Sequence, residues 1–276
     1  MDSNAIIDII IGKNSNLSCE LFKKNPNFIL ISSREILLDN SILKEYRESK
    51  IRLIFNNFQP STELGSSSSY SEYIKRAILS TSMVLDYFDA TNIVKIIYTS
   101  SSSVYGNNIL CSESDDVKVM NFHAGLKVSN EKMIESFCKN HSVDYTIARI
   151  FNMYGGDDKF SIISKIINAH NKKESLTVLN SGSAIRDFIH IDNVVDIYIK
   201  LLSKKNINII NIGTGNGNSV KNILLFLNSF SYKIETINIV REEIEVSTAN
   251  IKLLDSIFKS YNFIQVESYL QKKLSL

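Results

Sequence analysis

The chain has 276 residues, of which 44% are hydrophobic and 22% charged, and its formal net charge is +2. This length permits one large α/β domain or two unequal lobes, and the composition excludes wholesale disorder. Acidic and basic residues are interspersed, so a charged surface for nucleic acid or a membrane is not supported.

Cysteines, histidines and the N-terminal segment bear on compartment and metal binding. The three cysteines are scattered and outside any C-x-x-C spacing, which argues against a disulfide framework and a zinc site. No histidine is spaced for a metal with another ligand, so we expect no metal. The apolar run "AIIDIIIG" is too short to span a bilayer and lacks the features of a signal peptide. We therefore expect a cytoplasmic protein.

Short β-branched runs alternate with longer amphipathic stretches along the chain. This pattern predicts a doubly wound α/β fold around a parallel sheet. Strands are predicted at 5–11, 28–32, 51–56, 94–100, 144–151 and 207–213. Helices are predicted at 17–24, 70–90, 124–140, 192–204 and 219–229. The Ser-rich segment at 61–73 is predicted to be a loop.

The segment "IIIGKNSNLSCELF" follows the first predicted strand and opens a helix, where dinucleotide-binding folds place a phosphate turn. Such a turn favours three glycines. Here Gly12 holds the first position, and Ser15 and Ser18 hold the other two. Serine adds a Cβ atom where the phosphate approaches, although its hydroxyl and the helix N-terminus still favour an anion. Residues 12–18 are called the phosphate turn below. Taken alone, this segment is better explained as an ordinary strand-to-helix turn than as a dinucleotide site.

The second predicted strand ends in Ser32, Ser33 and Arg34. An acidic residue here usually holds the ribose of NAD, whereas an arginine accommodates the 2′-phosphate of NADP. The segment therefore favours NADP over NAD. The alternative for Arg34 is a solvated surface arginine that binds no cofactor. A later glycine cluster, "NIGTGNGNSV", is interpreted as a strand-to-helix turn in which Ser219 caps the helix.

Four motifs follow one another in the rest of the chain: "YTSSSSVYG" (98–106), "HAGLKVSNE" (123–131), "IARIFNMYGG" (147–156) and "IRDFIHIDNVVDIYI" (185–199). The hydroxyl row of the first motif ends the fourth strand, at the sheet edge where open α/β sheets bind ligands. In order and spacing, the motifs resemble the extended short-chain dehydrogenase/reductase family that acts on nucleotide-diphosphate sugars. The resemblance covers nearly the whole chain, and is strongest to small 4-epimerases and 4-ketoreductases, including 3,6-dideoxyhexose synthases.

The resemblance implies a Rossmann-type dinucleotide-binding domain at 1–150, to which 189–213 returns. It implies a smaller C-terminal lobe at 151–276 that binds the nucleotide sugar. The residues that it assigns to the NADP or NAD cofactor are Gly12, Ser15, Leu17, Arg34 and Lys127. Relatives pair through the helices corresponding to 75–90 and 124–140, which predicts a homodimer.

The acid/base site implied by the resemblance contains Ser101 and Lys127, with Ser103 facing the sugar. The family's tyrosine, four residues before the lysine, is replaced by His123. A nearby ammonium lowers the pKa of tyrosine (about 10 when free) and of histidine (about 6.5). For histidine this favours neutral imidazole, which accepts a proton more readily than it donates one. The carboxylate of Glu131 reduces the effect of Lys127 on the pKa of His123 if Glu131 packs on the same helix face.

The resemblance also assigns three residues to the nucleotide sugar. Asn152 matches an asparagine that contacts the sugar diphosphate, and Arg186 and Arg241 match two arginines that clamp it. An ion pair with Asp187 or Asp192 is the alternative for Arg186.

These assignments imply hydride transfer at C4 of a nucleotide-diphosphate sugar, in surface-polysaccharide or deoxysugar biosynthesis. A 4-ketoreductase is favoured over a 4-epimerase. Ser102 and Ser103 replace the acidic pair of the family's dehydratases, which argues against dehydration. The alternative is a relative that binds a nucleotide sugar or dinucleotide without redox turnover, since the catalytic tyrosine and two turn glycines are replaced.

Overall fold

The computed structural model describes residues 5–57, 70–259 and 261–275. The chain divides into two compact units. The first unit comprises Met1–Val104, Val119–Arg149 and Val195–Ile210. The second comprises Tyr105–Lys118, Ile150–Val194 and Asn211–Leu276. Within the described part of the chain, no helix is both long enough and apolar enough to span a membrane.

The strands of the described chain fall into three sheets. They are β1 (Ile7–Ile11), β2 (Ile29–Ile31), β3 (Ile51–Phe55), β4 (Ile93–Ser101), β5 (Asn108–Cys111), β6 (Asp144–Ile150), β7 (Asn152–Tyr154), β8 (Leu176–Leu179), β9 (Ile185–His190), β10 (Ile209–Ile212), β11 (Gly217–Ser219), β12 (Thr236–Ile239) and β13 (Val246–Ala249). All six predicted strands are present, as β1, β2, β3, β4, β6 and β10.

The helices connect and cover these strands. They are α1 (Asn16–Lys24), α2 (Ser33–Leu38), α3 (Tyr70–Ile74), α4 (Ser80–Tyr87), α5 (Phe122–His141), α6 (Ile162–Lys172), α7 (Ile191–Leu201), α8 (Val220–Ser229), α9 (Lys252–Phe258) and α10 (Val266–Leu274). Each of the five predicted helices is confirmed, within a few residues at its ends. Residues 61–69 of the segment predicted to be a loop lie outside the described chain, while 70–73 belong to α3.

The first unit is built around a six-stranded sheet of order β10-β6-β4-β3-β1-β2. Strands β2, β1, β3 and β4 pair in parallel. Ile9, Ile10 and Ile11 are completely buried, because helices cover both faces of β1. This is the predicted α/β fold with a Rossmann-like parallel sheet, and it brings the carboxyl ends of β1, β3 and β4 to one edge.

The predicted helix at 70–90 is interrupted by a π-helical turn at Lys75–Leu79. Side-chain donors satisfy the carbonyl groups of this turn: Ser80 Oγ donates to Arg76 O at 2.6 Å, and Asn130 Nδ2 donates to Ala77 O at 2.8 Å. Widened turns of this kind arise where side chains enter the backbone hydrogen-bond ladder. The periodicity of the sequence could not show this, because Asn130 comes from another helix.

The second unit contains a sheet of order β11-β9-β13-β5, with β7 paired to β9, and a small parallel pair formed by β8 and β12. Ser219 caps α8 as predicted, accepting a hydrogen bond from Asn222 N at 3.1 Å. Strand β9 carries Arg186 and Asp187, and its neighbour β7 begins at Asn152, so two of the predicted diphosphate ligands lie on adjacent strands.

Candidate active site

The phosphate turn is built around Gly12, which directly follows β1. Gly12 has a φ of +112°, and a Cβ atom on it would lie 2.4 Å from the backbone oxygen of Asn56. Its N–H donates to Ile31 O at 2.8 Å. Only glycine fits this position, because both the φ angle and the approach of the Asn56 backbone exclude a side chain.

The two serines of the turn have different roles in the structure. Ser15 is the N-cap of α1, and its hydroxyl oxygen accepts from Ser18 N at 3.1 Å. Ser18 is completely buried and its Oγ accepts from Asn56 Nδ2 at 3.2 Å. Ser18 therefore presents no side-chain surface to a ligand. The capped turn and the N-terminus of α1 retain the features that hold a dinucleotide diphosphate, so these residues fit that cofactor.

The other predicted cofactor residues in this region lie on α1 and α2. Leu17 is buried, so only its main chain can contact a ligand at the turn. Arg34 is exposed on the first turn of α2, directly after β2, and its N–H is capped by Ser32 Oγ at 3.3 Å. Arg34 is therefore exposed close to the carboxyl end of β2, where the sequence analysis expected it.

Ser101 and Ser103 lie at the carboxyl end of β4. Ser101 is the last residue of the strand, and its Oγ accepts from Ser103 N at 3.2 Å as the chain enters a 3₁₀ turn. The Ser103 hydroxyl oxygen is buried and has no hydrogen-bond partner among the described residues. A buried hydroxyl of this kind favours a ligand that supplies the missing hydrogen bond.

His123 and Lys127 lie one turn apart on α5, whose N-terminus is capped by Asn121. The Lys127 side chain is buried, donates from Nζ to Thr99 O at 2.7 Å, and lies 5.3 Å from the ring centroid of Tyr98. Burial lowers the pKa of Lys127 to about 7, although the charge of Glu131 opposes this shift. Lys127 therefore changes its charge near neutral pH.

Glu131, on the next turn of α5, is engaged by a partner on the sheet. Arg149 donates to its two carboxylate oxygens, at 2.7 Å from Nη2 and 3.2 Å from Nε. The Ser100 hydroxyl also donates to Glu131 Oε1. Both charged side chains are almost completely buried. The Glu131 charge is thus largely compensated by Arg149, which explains why it only partly offsets the effect of burial on Lys127.

His123 is half-buried and packs against Tyr73 of α3. The two rings meet edge-on, with centroids 6.4 Å apart and an interplanar angle of 65°. Tyr73 is completely buried, so it fixes one side of the imidazole. The sequence analysis did not single out Tyr73, and no local signal connects it with His123 across 50 positions of sequence.

In the second unit, Asn152 and Asp187 belong to one hydrogen-bonded group. Asn152 Nδ2 donates to Asp187 O at 3.3 Å. The buried Asp187 carboxylate accepts from Thr214 N and Oγ1, Gly215 N and Ala249 N, at 2.7–3.1 Å. Burial raises the pKa of Asp187, while these four donors act to lower it. Asp187 therefore organises the loop after β10 and is not a partner of Arg186.

Arg186 forms an ion pair, as the alternative in the sequence analysis held, but with a different partner. Its Nη2 atom lies 3.0 Å from Glu243 Oε2, so the two predicted partners, Asp187 and Asp192, are wrong. Burial lowers the pKa of Arg186, and Glu243 opposes that shift. Arg241 is exposed, and its backbone is fixed by Asn180, which donates to Arg241 O at 2.7 Å and accepts from Arg241 N at 3.2 Å.

The described residues contain no group of three or more His, Cys, Asp or Glu side chains arranged to hold a metal ion. The predicted site residues of the first unit carry hydroxyl, imidazole and ammonium groups. Those of the second unit include two guanidinium groups, a type of group that suits phosphate oxygens.

Comparison with known proteins identifies the family of the chain. Residues 15–213 match the model of the NAD dependent epimerase/dehydratase family. The chain is 26% identical over 217 residues to a dTDP-D-glucose 4,6-dehydratase of Dictyostelium discoideum, covering 72% of this chain and 49% of that protein. It is 31% identical over 139 residues to a CDP-abequose synthase of Salmonella typhimurium, covering 46% of each protein. The chain thus spans about half the length of these curated relatives.

Among solved structures, the fold matches a UDP-glucuronic acid 4-epimerase from Bacillus cereus in complex with UDP-glucuronic acid and NAD. The TM-score is 0.83 at 18% sequence identity, and the match covers 98% of each chain. This likeness shows the fold, while the family match rests on the sequence of most of the chain. The chain belongs to the NAD-dependent epimerase/dehydratase family of extended short-chain dehydrogenases/reductases.

Proposed function

We propose that this protein transfers a hydride at C4 of a nucleotide-diphosphate sugar, as a 4-ketoreductase or a 4-epimerase. The observation that carries the proposal is the placement of Lys127, held by the Thr99 carbonyl on the helix face that also carries His123. Ser101 stands at the end of the same strand as Thr99. A hydroxyl, an imidazole and a lysine in this arrangement are the groups needed to move a proton at a sugar oxygen.

The nicotinamide dinucleotide supplies or accepts the hydride when it is bound. The phosphate turn would hold its diphosphate, and Lys127 would hold its ribose. Ser101 would donate a hydrogen bond to the oxygen on sugar C4, and His123 would give a proton to that oxygen in reduction or take one in oxidation. Burial lowers the pKa of Lys127 to about 7, so the lysine is only partly charged near neutral pH.

Asn152, Arg186 and Arg241 hold the diphosphate of the substrate in this proposal. The guanidinium of Arg186 is paired with Glu243, so a phosphate group competes with that carboxylate for the same donors. A substrate with two negative phosphates is favoured over a neutral sugar, because it offers acceptor oxygens at two points. The CDP-abequose synthase relative supports a reductase in deoxysugar biosynthesis for surface polysaccharide.

The cofactor in this proposal is NADP or NAD, with a lean towards NADP from Arg34. Ser32 and Ser33 leave no acidic group at the end of β2, and Arg34 is exposed. The family is NAD-dependent by description, so both cofactors require comparison. Tighter binding of NADPH than NADH, lost in Arg34→Met and retained in Arg47→Met, would support Arg34 as the 2′-phosphate ligand. Equal affinity for both cofactors would contradict it.

A homodimer through the segments 75–90 and 124–140 is part of the proposal. Leu79, in the first of these segments, exposes an apolar side chain. Light scattering with size-exclusion chromatography distinguishes a dimer from a monomer. The charged substitution Leu79→Glu would dissociate a dimer that uses this surface.

A binding protein without turnover is the second candidate, because His123 stands where the family has its tyrosine. It would retain affinity for a nucleotide sugar or a dinucleotide and lack hydride transfer. Both candidates are compatible with the polar side chains retained in the two units. A direct measurement of turnover separates them.

The test combines binding and turnover. Thermal shifts with NADPH, NADH and UDP-, GDP-, CDP- and dTDP-sugars identify ligands, because a ligand of the folded state raises apparent stability. Turnover of the stabilising sugar, or of its 4-keto form, is then followed by nicotinamide absorbance. Loss of turnover in His123→Ala and Lys127→Ala, but not in the surface control Lys132→Ala, supports the enzyme. Stabilisation by a sugar nucleotide with no turnover and no cofactor binding supports the binding protein.

A further inference from the structure

A chain of hydrogen-bonded side chains links α1 to α7 across the ends of β3 and β4. Asn56 Nδ2 donates to Ser18 Oγ at 3.2 Å, and the Thr99 hydroxyl donates to Asn56 Oδ1. Thr99 Oγ1 also lies 2.7 Å from the Tyr198 hydroxyl. Ser18 and Tyr198 are completely buried, Asn56 is 6% exposed and Thr99 is partly buried, so most of this chain is shielded from water.

The donors and acceptors of this chain favour one direction. Thr99 gives its proton to Asn56, so the Tyr198 hydroxyl is the donor in its bond with Thr99. Ser18 Oγ accepts from Asn56 and lies 2.8 Å from Ser15 Oγ. Because Ser18 is buried, its own proton goes to Ser15; the opposite direction would leave a buried O–H group without an acceptor. Each hydroxyl and amide group between Tyr198 and Ser15 therefore has at least one hydrogen-bond partner.

One end of this chain and one of its inner members, Thr99, reach groups assigned to the reaction. Ser15 caps α1 at the phosphate turn. The backbone oxygen of Thr99 accepts from Lys127 Nζ at 2.7 Å. A glycine at position 18 would remove the acceptor of the Asn56 amide and disconnect the turn from β4. The serine that replaces the family's glycine is thus the link between the two halves of the first unit's site.

We propose that Ser18 and Asn56 are positioning residues, which hold the phosphate turn and the Thr99 carbonyl that fixes Lys127. This inference rests on the proposed function, since it takes the turn as the dinucleotide site and Lys127 as part of the acid/base site. Ser18 acts through Ser15 on the dinucleotide and through Asn56 and Thr99 on Lys127. Its hydroxyl replaces the close helix–strand packing that a third glycine provides.

The substitution Ser18→Gly distinguishes two interpretations of this serine, because they predict opposite changes in the affinity for dinucleotides. If Ser18 only obstructs the turn, restoring the family's glycine leaves dinucleotide affinity unchanged or improves it. Under our proposal, affinity for NADH and NADPH falls on the order of tenfold, because a buried hydrogen-bonded chain is broken. Ser18→Ala keeps the Cβ atom and removes only the hydroxyl, and we expect it to show the same direction of change. Unchanged or tighter dinucleotide binding in both variants would overturn the proposal.

Ser219→Ala is the matched control for loss of a serine hydroxyl at a helix start. Ser219 caps α8 in the second unit as Ser15 caps α1, so its removal tests general destabilisation. Dinucleotide affinity in this variant stays at the wild-type value. Circular dichroism and thermal unfolding verify that each variant is folded. A fall in affinity equal to that of Ser18→Gly would overturn the proposal, since the effect would then not depend on the chain.

The isosteric substitution Thr99→Val tests the part of the chain that lies next to Lys127. It removes the hydroxyl that bonds Asn56 and Tyr198 and leaves the Thr99 carbonyl less firmly held for Lys127. A weaker bond to the ammonium lowers the pKa of Lys127 further, since hydrogen bonds to the charged form favour it. NMR titration of the Lys127 side-chain amine measures this shift without requiring turnover. An unchanged pKa would contradict the positioning role, even if the proposed function failed in the turnover assay.

Discussion

Lys127 gives a quantitative prediction, because a buried lysine that titrates near neutrality changes stability with pH. Burial lowers its pKa from 10.5 to about 7 in the folded protein. Below about pH 7 both folded and unfolded chains carry the proton, and the folded state bears the full cost of burying the cation. As pH rises from about 7 to 10.5, only the unfolded state keeps the proton, so stability increases with pH.

The expected size follows from that window. Each unit of pKa difference corresponds to about 1.4 kcal/mol, so the shift from 10.5 to about 7 costs the folded state at most roughly 5 kcal/mol at low pH. Lys127→Met removes this cost, and it also removes the bond from Nζ to Thr99 O, which is worth about 1 kcal/mol. At pH 6 we therefore expect the variant to be more stable than the wild type by up to roughly 4 kcal/mol. The advantage should shrink as pH rises and be lost near pH 10.

The assay is urea unfolding of both proteins at several pH values between 6 and 9.5, without cofactor. The difference between the two unfolding free energies isolates Lys127, because other titrating groups contribute equally to both. Lys132→Met is the control, since Lys132 lies on the same helix with an exposed side chain. A difference between wild type and Lys127→Met that does not depend on pH would refute the argument from burial.

Three further predictions follow from the site. Arg149→Met leaves the buried Glu131 carboxylate without its ion-pair partner, so urea unfolding should show a free energy of unfolding lower by roughly 3–5 kcal/mol. The double variant Arg149→Met/Glu131→Leu should recover most of this stability, because it leaves no unpaired buried charge. Gly12→Ala should abolish dinucleotide binding by calorimetry, because its Cβ atom would meet the Asn56 backbone; retained affinity would show that the turn does not hold the cofactor. His123→Tyr restores the family's acid/base and should raise the rate of ketone reduction at least tenfold; a lower rate would mean that the site is adapted to histidine.

The parts of the fold that the sequence predicts are those in which local pattern and burial agree. The run of isoleucines in β1 predicts a strand buried on both faces, and Ile9, Ile10 and Ile11 are completely buried. His123 and Lys127 are predicted on one helix face from a spacing of four residues, and α5 contains both. In each case the decisive interaction lies within a few positions along the chain.

The parts that the sequence does not predict depend on partners far apart in the chain. Asn56 bonds Ser18, 38 positions earlier, and Thr99, 43 positions later. Arg186 pairs with Glu243 across 57 positions, in preference to the adjacent Asp187. Asp187 is unavailable because main-chain and hydroxyl donors of another loop surround its carboxylate. Spacing along the sequence cannot predict which of several candidate partners a side chain will bond, because that choice depends on which donors and acceptors the folded backbone brings together.

The charge of Lys127 changes the chemistry that the sequence implies for His123. A permanently charged lysine would keep the imidazole neutral and oppose ketone reduction. Burial lowers the pKa of Lys127 to about 7, so the lysine loses its charge within the neutral range and then no longer opposes a proton on an imidazole one helical turn away. Reduction of a ketone requires a proton on the acid/base group, so a lysine that can become neutral favours reduction. Lys127→Arg keeps its charge at every accessible pH, and we expect it to slow ketone reduction at pH 7 and above relative to the wild type. Equal rates of reduction in the two proteins across this pH range would show that the charge at position 127 does not govern the acid/base group.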